Sequence, residues 1–177
     1  SELAKSLSVG HGMERPTFGA NMGAMVSQAQ RARAEGLCQR AQSEGARAVT
    51  GGRKLNQPGY FFEPTVFDGV TPEMNIAQEE VFGPVISVMT FSDDDEAIRM
   101  ANDRGYGLVA GVFTKDVDRA TAAAQRLRAG QIYVNEWYAG GVETPFGGFG
   151  KSGYGREKGR EALYNYVQTK NIGIALG

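Results

Sequence analysis

Apolar residues run almost unbroken from Val85 to Phe91, with Gly83-Pro84 before them and the acidic string Ser92-Asp93-Asp94-Asp95 after. That pattern predicts a strand buried on both faces, then a helix with negative charge at its positive end. Ala97, Ile98 and Ala101 form the expected core face of the helix, and Gly105 its stop. A second strand, Leu108 to Thr114, feeds a helix capped by Asp116, with Val117, Ala120, Ala124 and Leu127 at helical spacing. Gly130 stops that helix, and Gln131 to Asn135 reads as a third strand. Strand, helix, strand, helix, strand with short links predicts a parallel sheet with right-handed crossovers.

The first half is less regular. Leu3 to Leu7 reads as the tail of a helix, and His11 falls in a loop with Gly10, Gly12 and Pro16. Ser27-Gln28-Ala29-Gln30 has the form of a capping box, with Ser at the cap and Gln three residues on. The helix it opens places Ala34, Leu37, Cys38 and Ala41 on one stripe, with Gly45 as its stop. Gly51-Gly52 and Asn56 to Gly59 supply turns around a short ribbon. Tyr60 to Phe67 is rich in aromatic and β-branched residues, and the proline inside it predicts an edge or a broken strand. Thr71-Pro72-Glu73 reads as a helix cap followed by proline at the first helical position. At the far end a long loop, Glu136 to Tyr154, precedes a helix around Arg156 to Tyr166 and a final strand, Val167 to Leu176.

Composition removes several kinds of function. A chain of 177 residues suits one domain with a real core. With 19 basic and 20 acidic residues, nothing points to nucleic acid. No apolar run approaches the roughly 18 residues that span a bilayer, so no membrane partner is expected. One cysteine and one histidine exclude an internal disulfide framework and a Cys/His zinc site. Those facts suit a cytoplasmic protein. Cys38, on the core stripe of a helix with no histidine nearby, reads as a small buried hydrophobe and not as a nucleophile.

Two stretches carry candidate chemistry. Gly148-Phe149-Gly150-Lys151-Ser152-Gly153 matches the letters of a dinucleotide fingerprint, but no strand runs straight into it and no acid for a ribose follows Glu161. An independent nucleotide site there is an alternative. The surrounding aromatics, Trp137, Tyr138, Phe146, Phe149 and Tyr154, suit the mouth of an apolar pocket or the cover of a sheet end. The second stretch is Gln78-Glu79-Glu80-Val81-Phe82-Gly83-Pro84-Val85, an adjacent acid pair running into an aromatic and a Gly-Pro stop.

That second stretch closely resembles a segment of the NAD(P)-dependent aldehyde dehydrogenase family. So does the block Pro145-Phe146-Gly147-Gly148 through Ser152-Gly153-Tyr154-Gly155-Arg156-Glu157, at a fitting distance. The likeness runs from about Val9 to Ile174. It implies an α/β fold, a three-layer open parallel sheet with helices on both faces. Residues 1–166 would be the C-terminal part of a catalytic domain, and residues 167–177 an oligomerisation strand of a homo-oligomer. The implied reaction oxidises an aldehyde substrate with NAD or NADP through a cysteine thioester. On this match Glu80 accepts hydrogen bonds from both hydroxyls of the nicotinamide ribose, Phe82 packs beside the nicotinamide, and Gln30 approaches the cofactor. Phe146 and Tyr138 match positions lining the substrate tunnel. The nucleophilic cysteine, general-base glutamate, oxyanion-hole asparagine and most of the cofactor domain are expected upstream of Ser1, so the rest of its own chain is the first partner. The isolated chain is then expected to be inactive, and a non-catalytic interaction module is the other alternative. One departure stands out: the family usually has lysine where this sequence has Gly150, and here lysine comes one place later, at Lys151.

Overall fold

The computed structural model describes residues 2–11 and 21–177. Gly12 and Pro16, assigned to the loop beside His11, lie outside the described residues. The chain divides into two compact units, one ending at Thr90 and the other beginning at Phe91.

The first unit runs α1 (Glu2–Ser6), β1 (Ser8–Val9), β2 (Asn21–Met22), α2 (Gln28–Ser43), β3 (Arg47–Thr50), β4 (Thr65–Asp68), α3 (Asn75–Gln78) and β5 (Val85–Ser87). Its main sheet has the order β3-β4-β5, antiparallel between β3 and β4 and parallel between β4 and β5. β1 and β2 form a separate parallel pair. The core lies between α2 and this sheet, where Ala34, Cys38 and Ala41 meet Phe62, Phe67, Val70 and Ile76. Small residues on one face of α2 let the helix approach the sheet closely. Leu37 is buried as well, so the whole expected stripe is inside.

Pro64 breaks the aromatic segment as expected. Phe62 makes an isolated bridge to Lys54, and β4 begins only after the proline. β4 is nevertheless the middle strand and not an edge, because Pro64 sits just outside the ladder, where its missing N–H costs nothing. Buried Thr65 is satisfied at the same corner: its hydroxyl donates to Glu63 O at 2.7 Å and accepts from Gly52 N at 2.8 Å.

Two expectations in this unit are corrected. The cap of α3 is Met74, with no side-chain hydrogen bond, and not Thr71. Thr71 and Pro72 instead close a turn in which Met74 N donates to Thr71 O. β5 is short, and Ile86 is 63 % exposed, where burial on both faces was expected. No described element of this unit covers that side of the strand.

The second unit runs α4 (Asp94–Asn102), β6 (Tyr106–Gly107), β7 (Val109–Val112), α5 (Val117–Arg126), β8 (Gln131–Val134), β9 (Phe149–Gly150) and a 3₁₀ helix (Arg160–Asn165). Asp93 and Asp116 cap α4 and α5, accepting from Glu96 N and Arg119 N. β7 and β8 pair in parallel across α5, the expected strand–helix–strand unit, while β6 and β9 pair antiparallel. Asn135 closes the end of the parallel pair, donating to Thr114 O and accepting from Thr114 N, both at 2.8 Å. Ile98 and Ala120 are the buried anchors of their helices. Val117, expected on the core face, is 75 % exposed at the first position of α5.

The end of the chain departs further. Arg156 to Tyr166 does not form one helix. Glu157 is in an extended bridge with Phe146, and Gly159 has a φ of 60°, so only the short 3₁₀ segment follows. Residues 167–177 form no strand and are exposed throughout. A β-strand needs a partner for its N–H and C=O groups, and none of the described residues supplies one.

Candidate functional site

The first cluster is built on the N-terminal turn of α2. Ser27 takes an extended conformation and its Oγ accepts from Gln30 N at 3.1 Å, as its cap role requires. The reciprocal half of the expected capping box is absent. The Gln30 side chain turns away instead and donates through Nε2 to Val81 O (2.9 Å) and Phe82 O (3.0 Å).

One helical turn on, on the same face, Arg33 continues the grip. Its Nη1 donates to Glu80 O at 2.6 Å and its Nη2 to Glu79 Oε2 at 2.9 Å. Gly83 seats the end of the segment: a Cβ there would stand 3.1 Å from Met25 Cε and 3.4 Å from Ala34 Cβ. The segment from Glu79 to Gly83 is thus tied to α2 through its main chain.

What this fixation leaves free is the chemistry. The Glu80 carboxylate is exposed and is engaged by none of the described residues. Phe82 has a φ of 51°, the left-handed region that a bulky side chain rarely enters, and is 74 % exposed. A strained backbone that turns an aromatic ring into solvent points to a binding role. An ionised carboxylate can accept from two neighbouring hydroxyls at once. The vicinal diol of a ribose and the flat ring it carries therefore fit the acid at position 80 and the aromatic at position 82.

The second cluster lies at the end of β8. Tyr133 is buried and makes angled ring contacts with Trp137 (6.3 Å) and Tyr138 (6.2 Å). Phe146 exchanges both backbone hydrogen bonds with Glu157 at 2.7 Å. Lys158 bridges the two expected tunnel residues. Its Nζ donates to the Tyr138 hydroxyl at 3.0 Å and lies 5.6 Å from the Tyr138 ring and 5.5 Å from that of Phe146. The hydrogen bond to Tyr138 raises the Lys158 pKa above its ordinary value, so the ammonium is charged.

Two other aromatics of that loop play different parts. Phe149 stacks under Arg156, and Tyr154 is 99 % exposed and lines nothing. Two cavities of this unit, each of about 430–450 Å³, lie around Phe113 and between α4 and α5, and neither includes Tyr138 or Phe146.

The glycine pattern from Gly148 to Gly153 is a tight turn and not a phosphate cradle. Lys151 N donates to Gly105 O, Ser152 N to Phe149 O and Gly153 N to Gly150 O, so the amides that would hold a phosphate are spent internally. Gly150 has a φ of 58°, and a Cβ there would stand 2.6 Å from Gly105 O. Lys151, one place on, lays its ammonium 5.7 Å from the Tyr106 ring.

Cys38 is fully buried, and burial first, then the charge of Glu35, pushes its thiol up to about 11. It is no nucleophile. Among the described residues no His/Cys/Asp/Glu group could hold a metal, and no helix is long and apolar enough to cross a membrane. His11 is exposed and packs edge-on against Phe61 at 4.8 Å. Arg33 and Lys158 escaped the sequence reading. The signal for Arg33 was its spacing of three from Gln30, while Lys158 carried none, because its neighbours come from distant parts of the chain.

Comparison with known proteins gives concordant results. The family model described as "Aldehyde dehydrogenase family" matches residues 1–172. Cytosolic aldehyde dehydrogenase 1 of Mus musculus is 42 % identical over 175 residues, 99 % of this chain and 34 % of its own length. A betaine aldehyde dehydrogenase of Brucella anthropi is 42 % identical over 180 residues, 99 % of this chain and 36 % of its own. The solved NAD+ complex of an aldehyde dehydrogenase from Bacillus cereus superimposes with a TM-score of 0.92 at 38 % identity, covering 99 % of this chain and 35 % of that one. The betaine aldehyde dehydrogenase of Staphylococcus aureus with NAD+ gives 0.89 at 37 % identity, with 97 % and 34 % covered. This chain spans about a third of the length of these relatives.

Proposed function

Because the chain belongs to the aldehyde dehydrogenase family, we propose that it is the C-terminal part of an enzyme that oxidises an aldehyde to a carboxylic acid with NAD. The observation that carries this reading is the free Glu80 carboxylate on a backbone that Arg33 and Gln30 immobilise. When bound, the nicotinamide supplies the acceptor for the aldehyde hydride. Glu80 would hold the cofactor by accepting from the hydroxyls of its ribose, and Phe82 would pack beside the nicotinamide. Gln30 acts through the main chain it holds. Tyr138 and Phe146 line the path of the aldehyde. With Cys38 buried, this reading needs a cysteine nucleophile and a base supplied by other residues.

The two relatives solved with NAD+ support NAD over NADP, and the cytosolic relatives support a cytoplasmic location. Residues 167–177, apolar at alternate positions from Ile172 to Leu176 and unpaired among the described residues, suit a strand that joins the sheet of a second subunit. The deciding experiment follows NADH formation from aldehydes by the in-frame longer protein and by the isolated chain. The longer protein should turn over and the isolated chain should not. A longer protein that lacks a cysteine nucleophile and activity would leave an interaction module as the better reading.

A further inference from the structure

Lys158 is placed with unusual firmness. Its two neighbours are anchored, Glu157 by both backbone hydrogen bonds to Phe146 and Gly159 by donation to Val142 O at 2.8 Å. Lys158 itself has a φ of 56°, and Tyr138, which accepts its hydrogen bond, a φ of 71°. Two non-glycine residues in the left-handed region, joined side chain to side chain, persist only where their surroundings over-determine them.

The charge so placed forms no ion pair among the described residues; the adjacent Glu157 carboxylate acts on it only through space. Every ion pair among the described residues joins other groups, and Lys158 is in none of them. An ammonium has three N–H donors. One goes to the Tyr138 hydroxyl, and two are left between that hydroxyl edge and the Phe146 ring. Those two residues are the ones assigned above to the path of the aldehyde.

We propose that Lys158 is a specificity-determining residue that selects aldehydes carrying a carboxylate at the end remote from the carbonyl, which rests on the reading of Tyr138 and Phe146 as substrate-lining. The carboxylate accepts the two spare N–H groups in charge-assisted hydrogen bonds, and the aromatic faces pack the alkyl chain between. The same arrangement works against a cationic substrate. A quaternary ammonium seeks aromatic faces, but here a cation already stands beside the Phe146 ring and the Tyr138 hydroxyl, and like charges repel. The aldehyde in the name of two of the relatives, betaine aldehyde, is therefore a poor substrate for this protein.

Three aldehydes test this on the full-length enzyme: succinic semialdehyde, its neutral counterpart butanal, and betaine aldehyde. The ratio of kcat/KM for succinic semialdehyde over butanal should exceed about tenfold, the scale of one well-made charged hydrogen bond. It should fall toward one in Lys158→Met and be kept in Lys158→Arg. Betaine aldehyde should gain relative to butanal in Lys158→Met. Ratios within one variant cancel any loss of folded protein. Oxidation of butanal with a ratio that does not change in Lys158→Met would overturn the role of Lys158 and leave aldehyde oxidation standing. If none of the three aldehydes is oxidised, the aldehyde reading falls and this inference with it.

Discussion

Arg33 holds Glu80 by its main chain and leaves its acid alone: Nη1 donates to the Glu80 carbonyl oxygen at 2.6 Å, and the carboxylate meets none of the described residues. The arginine thus fixes where the acid stands without neutralising it. With Gln30 on the next two carbonyls, α2 becomes the ruler against which Glu80 and Phe82 are placed.

Arg33→Met keeps the alkyl stem and removes the grip. Its ion pair with Glu79 is exposed on both sides, so stability should change little, by less than about 4 °C in Tm. NAD binding by the full-length enzyme should weaken by about tenfold, because the loop must then be ordered by the ligand. Fluorescence titration and a thermal melt separate the two effects. Unchanged affinity would make Arg33 a surface residue only.

Cys38 should resist thiol reagents in the folded protein at pH 8 and react fully once unfolded. Its thiol is raised from an ordinary 9.0 to about 11, so folding favours the protonated form. The stability tied to that proton is fully present below pH 9 and is lost as the pH rises toward 11. Titration with a chromogenic disulfide checks this, and stoichiometric labelling of native protein would contradict the assignment.

Gly150→Lys, which restores the residue the family usually carries there, should destabilise this chain. At a φ of 58°, with Gly105 O 2.6 Å from any Cβ, the backbone must move. The cost should be about 1–3 kcal/mol. Denaturant melts measure it. A neutral result would mean that the tight turn at the end of β9 has a second conformation open to it.

Self-association is the outcome expected of residues 167–177. Ile172, Ile174 and Leu176 are exposed, and Lys170 is the only charge in that stretch to discourage pairing. Light scattering on the chain with and without these residues should show a dimer that becomes a monomer on truncation. A dimer that survives truncation would place the interface elsewhere.

The sequence made the local elements readable wherever period and caps agreed. Ser27, Asp93 and Asp116 cap the helices assigned to them, and the stripe from Ala34 to Ala41 is buried. It misled where the answer depended on what lies beside an element. Ile86 looks buried in the apolar run but is exposed, and Val167 to Leu176 looks like a strand but finds no partner among the described residues. The site divides in the same way. Glu80 and Phe82 were legible as a motif, but Arg33 and Lys158 act through neighbours 46 to 48 and 20 residues away, a relation that no local pattern encodes.

The central claim is that Glu80 carries the nicotinamide ribose, and one measurement bears on it most directly. In the full-length enzyme, single-turnover hydride transfer is followed with NAD in excess, for the parent and for Glu80→Gln, using protio and deuterio aldehyde. The amide keeps one good acceptor for two hydroxyls, so the ring is misplaced, and displacement of an ångström costs on the order of a hundredfold. A hydride step slowed by about tenfold to a hundredfold, with a deuterium effect that emerges or grows in the variant, is the expected result. A hydride rate equal to that of the parent would mean that the acid beneath Arg33 is only a solvated side chain.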